Sequence, residues 1–418
     1  MQAGPRRTAL AVLALCFVLG ALGRGLPDSF SVFVVPLSRD FGWPRAEVVS
    51  IYSLYALASG LVGPFVGRVF DRSGPRVVYT LGLGLLGLSL SLAAFARSLW
   101  QLQLAAGLGV GVAATCLGNV PNIALLSRWY GKRLVTAASI VFSAYGFGIF
   151  VLVPLAQFLV ERFGWRGAYR GIGAALLALL LPLLLLPWRT YRAGNPEIER
   201  PAARGAGADS ITGYTLLQAM RHAGFWGLFC TFFFTSLGMF DIAVEVVAYL
   251  RDAGFAPMEA ATAWGFSGAL LPIGMMAVSW LDGVIGRRPS VLLSYVVTIA
   301  GVVMLWLIRL HPSFWLLAGF IVCFGSTLGS RGPLISTTAM RLFRGRASAT
   351  IFGAITIGAG VGQALGSWAG GLLHDWSGGY DLVIGFAVVS LLIGMTPFLT
   401  LTALRDEPAH VAPEPSGD

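Results

Sequence analysis

Apolar residues are gathered into twelve long blocks, at about 9–37, 46–67, 77–96, 100–126, 134–160, 167–188, 225–249, 259–280, 290–308, 314–339, 348–373 and 381–403. Short gaps rich in Arg, Gly and Pro separate them. Roughly 20 apolar residues in a helix cross a hydrocarbon core of about 30 Å. Hydrocarbon offers no partner to a free N–H or C=O, so each block predicts a helix that satisfies its own backbone. The first block follows Arg6 and Arg7 and runs toward Pro36, beyond the roughly 7–15 apolar residues of a signal peptide, so it reads as an uncleaved first span. Six blocks precede the polar stretch from Trp188 to Phe225 and six follow it. That stretch holds Arg189, Arg192, Glu197, Glu199, Arg200 and Asp209 among Gly, Ala and Pro, and reads as a flexible linker. The prediction is an all-α membrane protein: a six-helix bundle over 1–188, a cytoplasmic linker over 189–224, a second six-helix bundle over 225–404 and a cytoplasmic tail over 405–418.

The two sets of six are related. With the second half slid over the first by about 212 residues, Arg39, Asp40, Gly42, Trp43 and Glu47 fall on Arg251, Asp252, Gly254, Phe255 and Glu259, and Gly74 and Arg76 fall on Gly286 and Arg288. With one or two more, Arg128 and Arg133 match Arg341 and Arg346, and Glu161 and Gly164 match Asp375 and Gly378. Both halves keep the same orientation, so this is a parallel repeat with a pseudo-twofold axis between the bundles, where a shared site is expected. Glu47 and Glu259 fall in first helical turns, where a carboxylate complements the helix dipole.

Composition agrees with a lipid environment: 56% of the 418 residues are hydrophobic and 11% charged, against roughly 25% charged in ordinary globular domains. Lys132 is the only lysine, and the arginines are spread through the gaps rather than gathered into a nucleic-acid-binding patch. With both termini cytoplasmic, nineteen of the 29 basic residues lie on the cytoplasmic side, as the positive-inside rule requires. Arg162, Arg166 and Arg170 crowd one outer loop against that rule. Cys16, Cys116, Cys230 and Cys323 lie in separate apolar blocks and suggest neither disulfides nor a metal site. Neither a G-x-x-x-x-G-K-[ST] phosphate loop nor an H-E-x-x-H zinc motif occurs, which leaves ATP-driven transport and metalloprotease activity without support.

After the second block the chain reads Gly67-Arg68-Val69-Phe70-Asp71-Arg72-Ser73-Gly74-Pro75-Arg76. Asp71 can accept from arginines or cap a helix, and Gly74 lets the backbone turn sharply. The segment resembles the G-x-x-x-D-R-x-G-x-R signature of the major facilitator superfamily; the resemblance implies a twelve-helix transporter in which Gly67, Asp71, Arg72, Gly74 and Arg76 latch the two bundles on the cytoplasmic face. The second copy, Asp282 to Arg288, is degenerate. Phe33-Val34-Val35-Pro36-Leu37 running into Phe41-Gly42-Trp43, Ser127-Arg128-Trp129-Tyr130, Glu161-Arg162-Phe163-Gly164-Trp165-Arg166 and Ile351-Phe352-Gly353 are similar to the bacterial branch of the monocarboxylate porters. Members of that branch carry an eighth-helix arginine that pairs with the substrate carboxylate; Met275 stands there in this chain, so substrate identity does not carry over.

Ionisable groups inside spans are expensive and point to function. They are Arg24 and Asp28 in the first block, Asp241 and Glu245 in the seventh and Arg331 in the tenth; the resembled fold lines its central cavity with helices 1, 4, 7 and 10. Each pair is spaced four apart and so shares a helix face. Arg24 and Asp28 form either a structural ion pair or part of the site. Asp241 and Glu245, two acids on one poorly hydrated face, suit proton coupling, or one of them neutralises Arg331. Arg331, in Gly329-Ser330-Arg331-Gly332-Pro333, is the expected bidentate clamp for a carboxylate. Asn119, Asn122, Tyr145 and Gln363 either orient substrate or stitch helices together. His374, at a helix end beside Asp375, reads as a solvated surface residue.

These features together predict a secondary transporter, not an enzyme, working without cofactor or metal. Two bundles rock about a midplane site and move a small organic anion, a monocarboxylate, in symport with protons. Substrate binding falls to Arg331, Asn119, Asn122, Tyr145, Gln363 and Arg24, and proton coupling to Asp241, Glu245 and Asp28. The expected setting is a bacterial inner membrane, as a monomer crossing it repeatedly. Three acids against two arginines leave proton-driven antiport of cationic or amphipathic compounds as the alternative, and a non-transporting membrane sensor is the reading from another class.

Overall fold

The computed structural model describes residues 5–130, 133–195, 214–343 and 348–404. Lys132, most of the expected linker, Arg344, Arg346 and the expected tail from Arg405 lie outside the described residues. Among those described, every regular element is helical. The spans are α1 Arg6–Phe41, α2 Arg45–Ser73, α3 Pro75–Ala93 and α4 Leu99–Tyr130, then α5 (134–163) and α6 (165–185), divided by Gly164 at φ 66°. The second half has α7 Ala223–Asp252, α8 Pro257–Ile285, α9 Arg287–Leu310, α10 in two pieces (Phe314–Gly325 and Arg331–Leu342), α11 Ser348–Ser377 and α12 Asp381–Thr400. Among the described residues, ten segments are long and apolar enough to cross a bilayer unaided. Twelve spans are reached because Gly164 splits one segment into α5 and α6, and because α10 is broken.

The repeat is visible in the backbone. Glycines with positive φ, a conformation that side chains with a Cβ resist, come in pairs at the expected shifts: Gly42 (69°) and Gly254 (99°), Gly74 (84°) and Gly286 (85°), Gly164 (66°) and Gly378 (66°). Helices α4 and α10 are also broken alike. Each contains a π segment, Gln103–Gly109 and Ile321–Gly325, and is interrupted again just before the matched Asn119 and Arg331, at Gly118 and at Gly329 (φ 78°).

Motifs far apart in sequence meet. On the face opposite the termini Phe41 stacks on Trp43 (4.0 Å between centroids) and tilts against Trp165 (5.7 Å). Asp40 accepts from Trp165 Nε1 (3.1 Å) and pairs with Arg166. On the terminal face Trp129 Nε1 donates to the Tyr191 carbonyl (2.9 Å) and Tyr130 to the Ala9 carbonyl (2.9 Å). The Ser127-Arg128-Trp129-Tyr130 motif thus docks the chain leaving α6. The carboxylate of Glu259 accepts from the Ala256 N–H (3.1 Å), capping α8 as expected.

Within the first half α1 packs along α5, and α3 along α4 and α6; within the second, α7 packs along α11 and α12, and α9 along α12. The halves meet mainly where α2 lies along α11 and α5 along α8, two seams that the repeat interchanges. Both depend on small residues. Any side chain at Gly146 would collide with the Gly268 carbonyl, and Gly60 faces the Gly360 backbone (3.5 Å from where a Cβ would stand). Toward the termini contact lapses: a Cβ at Gly63 or Gly353 would meet nothing within 4 Å. The halves are sealed on the face opposite the termini and part toward the terminal face.

Within the first half, a Cβ at Gly25 would stand 2.5 Å from the Gly148 backbone. Gly25→Val therefore destabilises the bundle by about 3 kcal/mol, the upper range for overpacking a tight interface; thermal unfolding in detergent measures the loss.

Candidate functional site: a cavity between the two halves

A small cavity, about 250 Å³ of empty space, lies between the halves. Asp28 and Ser31 of α1, Tyr52 of α2, Tyr145 of α5, Phe240 and Val244 of α7, Trp264 of α8 and Leu328 of α10 contribute to its wall. A bend in α1 helps to present the acid: Pro27 interrupts the helix and the Ser29 hydroxyl donates to the Leu26 carbonyl (2.6 Å). Asp28 Oδ1 accepts from the Tyr52 hydroxyl (2.5 Å), which accepts in turn from Gln363 Nε2 of α11 (3.0 Å). Asp28 Oδ2 and Trp264 Nε1 are buried without a hydrogen-bond partner. A buried polar atom left unpaired costs about 1–3 kcal/mol, and here each half contributes one such atom from a residue of the cavity wall.

Arg24 lies one helical turn from Asp28 toward the terminal face. It makes no ion pair with a described residue; Nη1 donates to the Tyr55 hydroxyl (3.2 Å) and the guanidinium sits over the Tyr145 ring (4.7 Å). Neither neighbour cancels its charge. The site therefore presents a guanidinium toward the side where the halves part, a carboxylate behind it, and five aromatic rings around them.

Such a cavity on the repeat axis, between seams that the repeat interchanges, is the arrangement of an alternating-access carrier. The chain matches the Major Facilitator Superfamily over residues 13–357, with a second match over 273–418. It belongs to that family. It is 29% identical over 399 residues to monocarboxylate transporter 13 of Bos taurus, covering 93% of this chain and 88% of that one. It is 25% identical over 397 residues to the MFS-type transporter YcxA of Bacillus subtilis, covering 93% and 95%. The fold is shared with a bacterial homolog of the human lysosomal transporter Spinster, solved inward-facing and unoccupied: TM-score 0.71, 17% identity, 96% of this chain and 99% of that one. The major facilitator family is one of transporters, so this is a multi-pass membrane transporter and not an enzyme.

Of the residues singled out in the sequence, Arg24, Asp28, Tyr145 and Gln363 meet around the cavity. Arg331 does not join them. The break at Gly329 starts the second piece of α10 at Arg331 and turns its side chain onto α9. There Nε donates to the Ser294 hydroxyl (3.0 Å) and Nη2 to the Ser294 carbonyl (2.8 Å) and to Thr298, while the guanidinium lies over the Tyr295 ring (3.9 Å). Its fork is filled by neutral acceptors of the same half, and no described carboxylate pairs with it. Nor do Asp241 and Glu245 neutralise it: Asp241 is fully buried facing Gly370 of α11 with neither oxygen bonded, and Glu245 pairs with Arg45 (2.8 Å). Asn122 is enclosed in the first half, accepting from Tyr79 (2.8 Å) and donating to the Leu117 and Cys16 carbonyls (3.0 and 3.3 Å), whereas Asn119 is exposed at the break in α4.

Asp71, Arg72 and Arg76 are exposed at the terminal face, and among the described residues none forms an ion pair. In the degenerate copy Asp282 pairs with Arg287 (3.4 Å), which also reaches Thr338 of α10 (3.1 Å). His374 is half-buried against Tyr380 (4.7 Å between centroids) rather than solvated, because the seam between α2 and α11 covers that helix end. Sequence reasoning missed Tyr52, Tyr55 and Trp264. Tyrosines three apart on α2 were an available signal, since that spacing shares a face, but periodicity does not say that the face looks onto the axis.

Arg331→Gln removes the hydrogen bonds to α9 and the contact with Tyr295. It lowers stability by about 2–4 kcal/mol, seen as a lower melting temperature in detergent. Loss of transport at an unchanged melting temperature would return Arg331 to the transport path.

Proposed function

We propose that this transporter carries a small organic anion, a monocarboxylate, together with protons, and that the cation receiving the carboxylate is Arg24. The observation that carries the reading is an arginine beside the central cavity that forms no direct ion pair with a described residue, held by the Tyr55 hydroxyl and the Tyr145 ring, with the Asp28 carboxylate one helical turn away. A guanidinium so placed has N–H groups left for a planar anion. The phenol of Tyr145, the amide of Gln363 and the free indole N–H of Trp264 supply neutral hydrogen-bonding groups close by. The similarity to monocarboxylate transporters supports the same substrate class.

Proton coupling follows from the acids. Asp28 has one free buried oxygen and Asp241 has two. Carrying a carboxylate past them without a compensating proton would bring like charges together in a poorly hydrated space. Asp28 and Asp241 are the proposed proton sites, with Glu245 linking them to the face opposite the termini. The termini lie in the cytoplasm, in agreement with the distribution of arginine, and the setting is a bacterial inner membrane. Gly67 to Arg76 would then latch the halves in the opposite conformation, when the cytoplasmic face closes. Arg331 holds broken α10 against α9.

A second reading has its own observation: Tyr52, Tyr145, Phe240 and Trp264 surround the free oxygen of Asp28, a setting that also suits an organic cation through ring and carboxylate. Uptake into proteoliposomes under an imposed pH gradient, with carboxylates and organic cations as competing cargo, separates the two. Proton-driven carboxylate uptake is expected, reduced by about 30-fold or more in Arg24→Gln, since losing one partner of a buried charge pair costs about 2–5 kcal/mol. Uptake of carboxylates that is indifferent to Arg24→Gln refutes the assignment. Exchange of organic cations for protons, abolished in Asp28→Asn, would establish the alternative.

A further inference from the structure

On the face opposite the termini one arginine spans the two halves. Arg45 begins α2, in the first half, yet its charged partners belong to the second: Nη1 pairs with Glu245 (2.8 Å) and contacts the Tyr380 hydroxyl, and Nη2 pairs with Asp252 (2.6 Å). The Arg45 guanidinium also lies near the Tyr380 ring (5.6 Å). The same helix end is capped from the second half, because Asp375 of α11 accepts from the backbone N–H groups of Arg45 (3.0 Å) and Ala46 (2.7 Å). A carboxylate at a helix N-terminus satisfies amides that have no partner within the helix. A Cβ at Gly371 would stand 2.9 Å from Ala46, so the backbones also touch there. No other ion pair between the halves occurs among the described residues.

We propose that Arg45 is the pin of the gate on this face, and that a proton taken up by Glu245 withdraws it. The first part stands on the geometry alone; the second rests on the proton-coupled reading above. Glu245 is buried, with only 2% of its side chain exposed, whereas Asp252 is 48% exposed. The Glu245 pair is thus the sheltered and stronger tie, and the Asp252 pair is weakened by water. Charged and titratable groups facing Glu245 are Arg45 from α2, His374 and Asp375 from α11, Tyr380 from the turn after α11, and Asp241 one turn away on α7. His374 lies 3.6 Å from Asp375, and Arg309 pairs with Asp381 (3.0 Å), so neither takes the place of Arg45. A proton on Glu245 removes the sheltered ionic tie. Acid on this face then favours opening, while the partnerless Asp241 lies one turn deeper to receive the proton.

Hydrogen exchange, followed by mass spectrometry on the full chain in lipid nanodiscs, tests both parts through peptides covering 42–50 and 371–380. A peptide from α3 serves as the folding control, and rates are corrected for the intrinsic effect of pH. At about pH 7.5, Arg45→Gln and Glu245→Gln each accelerate exchange in the two gate peptides by about tenfold or more, with α3 unchanged. Wild type shows the same acceleration at about pH 5.5, and Glu245→Gln no longer responds to acid. Wild-type protection in both variants overturns the pin. An acid response that persists in Glu245→Gln overturns the role of that acid. If Arg45→Gln also loses protection in α3, Asp375→Ala takes its place: it removes the cap and leaves the ion pair, and protection of 42–50 that is unaltered in it counts against the gate. An intact exchange response without proton-driven carboxylate uptake leaves the gate standing and discards the substrate reading; normal uptake without the response does the reverse.

Discussion

A charge withdrawn from water must be matched by another charge, by a full set of hydrogen bonds or by a proton, because the desolvation penalty amounts to several kcal/mol per ion. The embedded ions of this protein meet that constraint to different degrees. Arg331 fills its fork with serine and threonine oxygens and a tyrosine face, all on α9. Glu245 is matched by Arg45 across the two halves. Asp28 is only half satisfied, and Asp241 not at all. Arg331 belongs to the interior of one bundle; Asp28 lies at the cavity between the halves, whereas Asp241 faces Gly370 of α11 inside the second half.

The seams explain how the two halves can move. Along α5 and α8 the contact at Gly146 and Gly268 is backbone against backbone, and along α2 and α11 Gly60 meets Gly360 in the related position. Interfaces of small residues let helices approach closely without long side chains locking them together. The seam of α2 with α11 is made toward one face and lapses toward the other, and at mid-depth the Tyr52 hydroxyl ties Gln363 to Asp28. The proposed substrate position and the proposed gate thus act on the same pair of bodies. Rocking that breaks the contacts of Arg45 would at the same time bring the exposed Asp71, Arg72 and Arg76 toward the other half.

Much of the fold was legible because lipid imposes a simple rule on sequence. Each apolar block became a helix, and the paired glycines Gly42 and Gly254, Gly74 and Gly286, Gly164 and Gly378 took left-handed backbone in matched turns. Helix ends ran past the apolar blocks, as at Ser73 and Ser377, because polar residues continue a helix once it reaches the interface. The candidate site was legible only in part. Arg24, Asp28, Tyr145 and Gln363 were identified as polar groups in spans, but Arg331, the most conspicuous of these by its glycine and proline setting, proved to face its own bundle. Arg45 went unnoticed because it lies in a gap between blocks, where an arginine is ordinary.

The sequence alone determined how many helices there are, where they turn, that the halves repeat and which charges enter the bilayer. These are properties of local composition and period, and hydrocarbon enforces them on each segment separately. Only the tertiary structure decided which way each charge faces. The break in α10 at Gly329 redirects Arg331 to α9, and the meeting of α2 with α7 and α11 turns an ordinary loop arginine into the tie between two halves. Those outcomes depend on rotations of helices about their own axes and on contacts between residues about 200 apart in the chain, quantities that no single segment encodes.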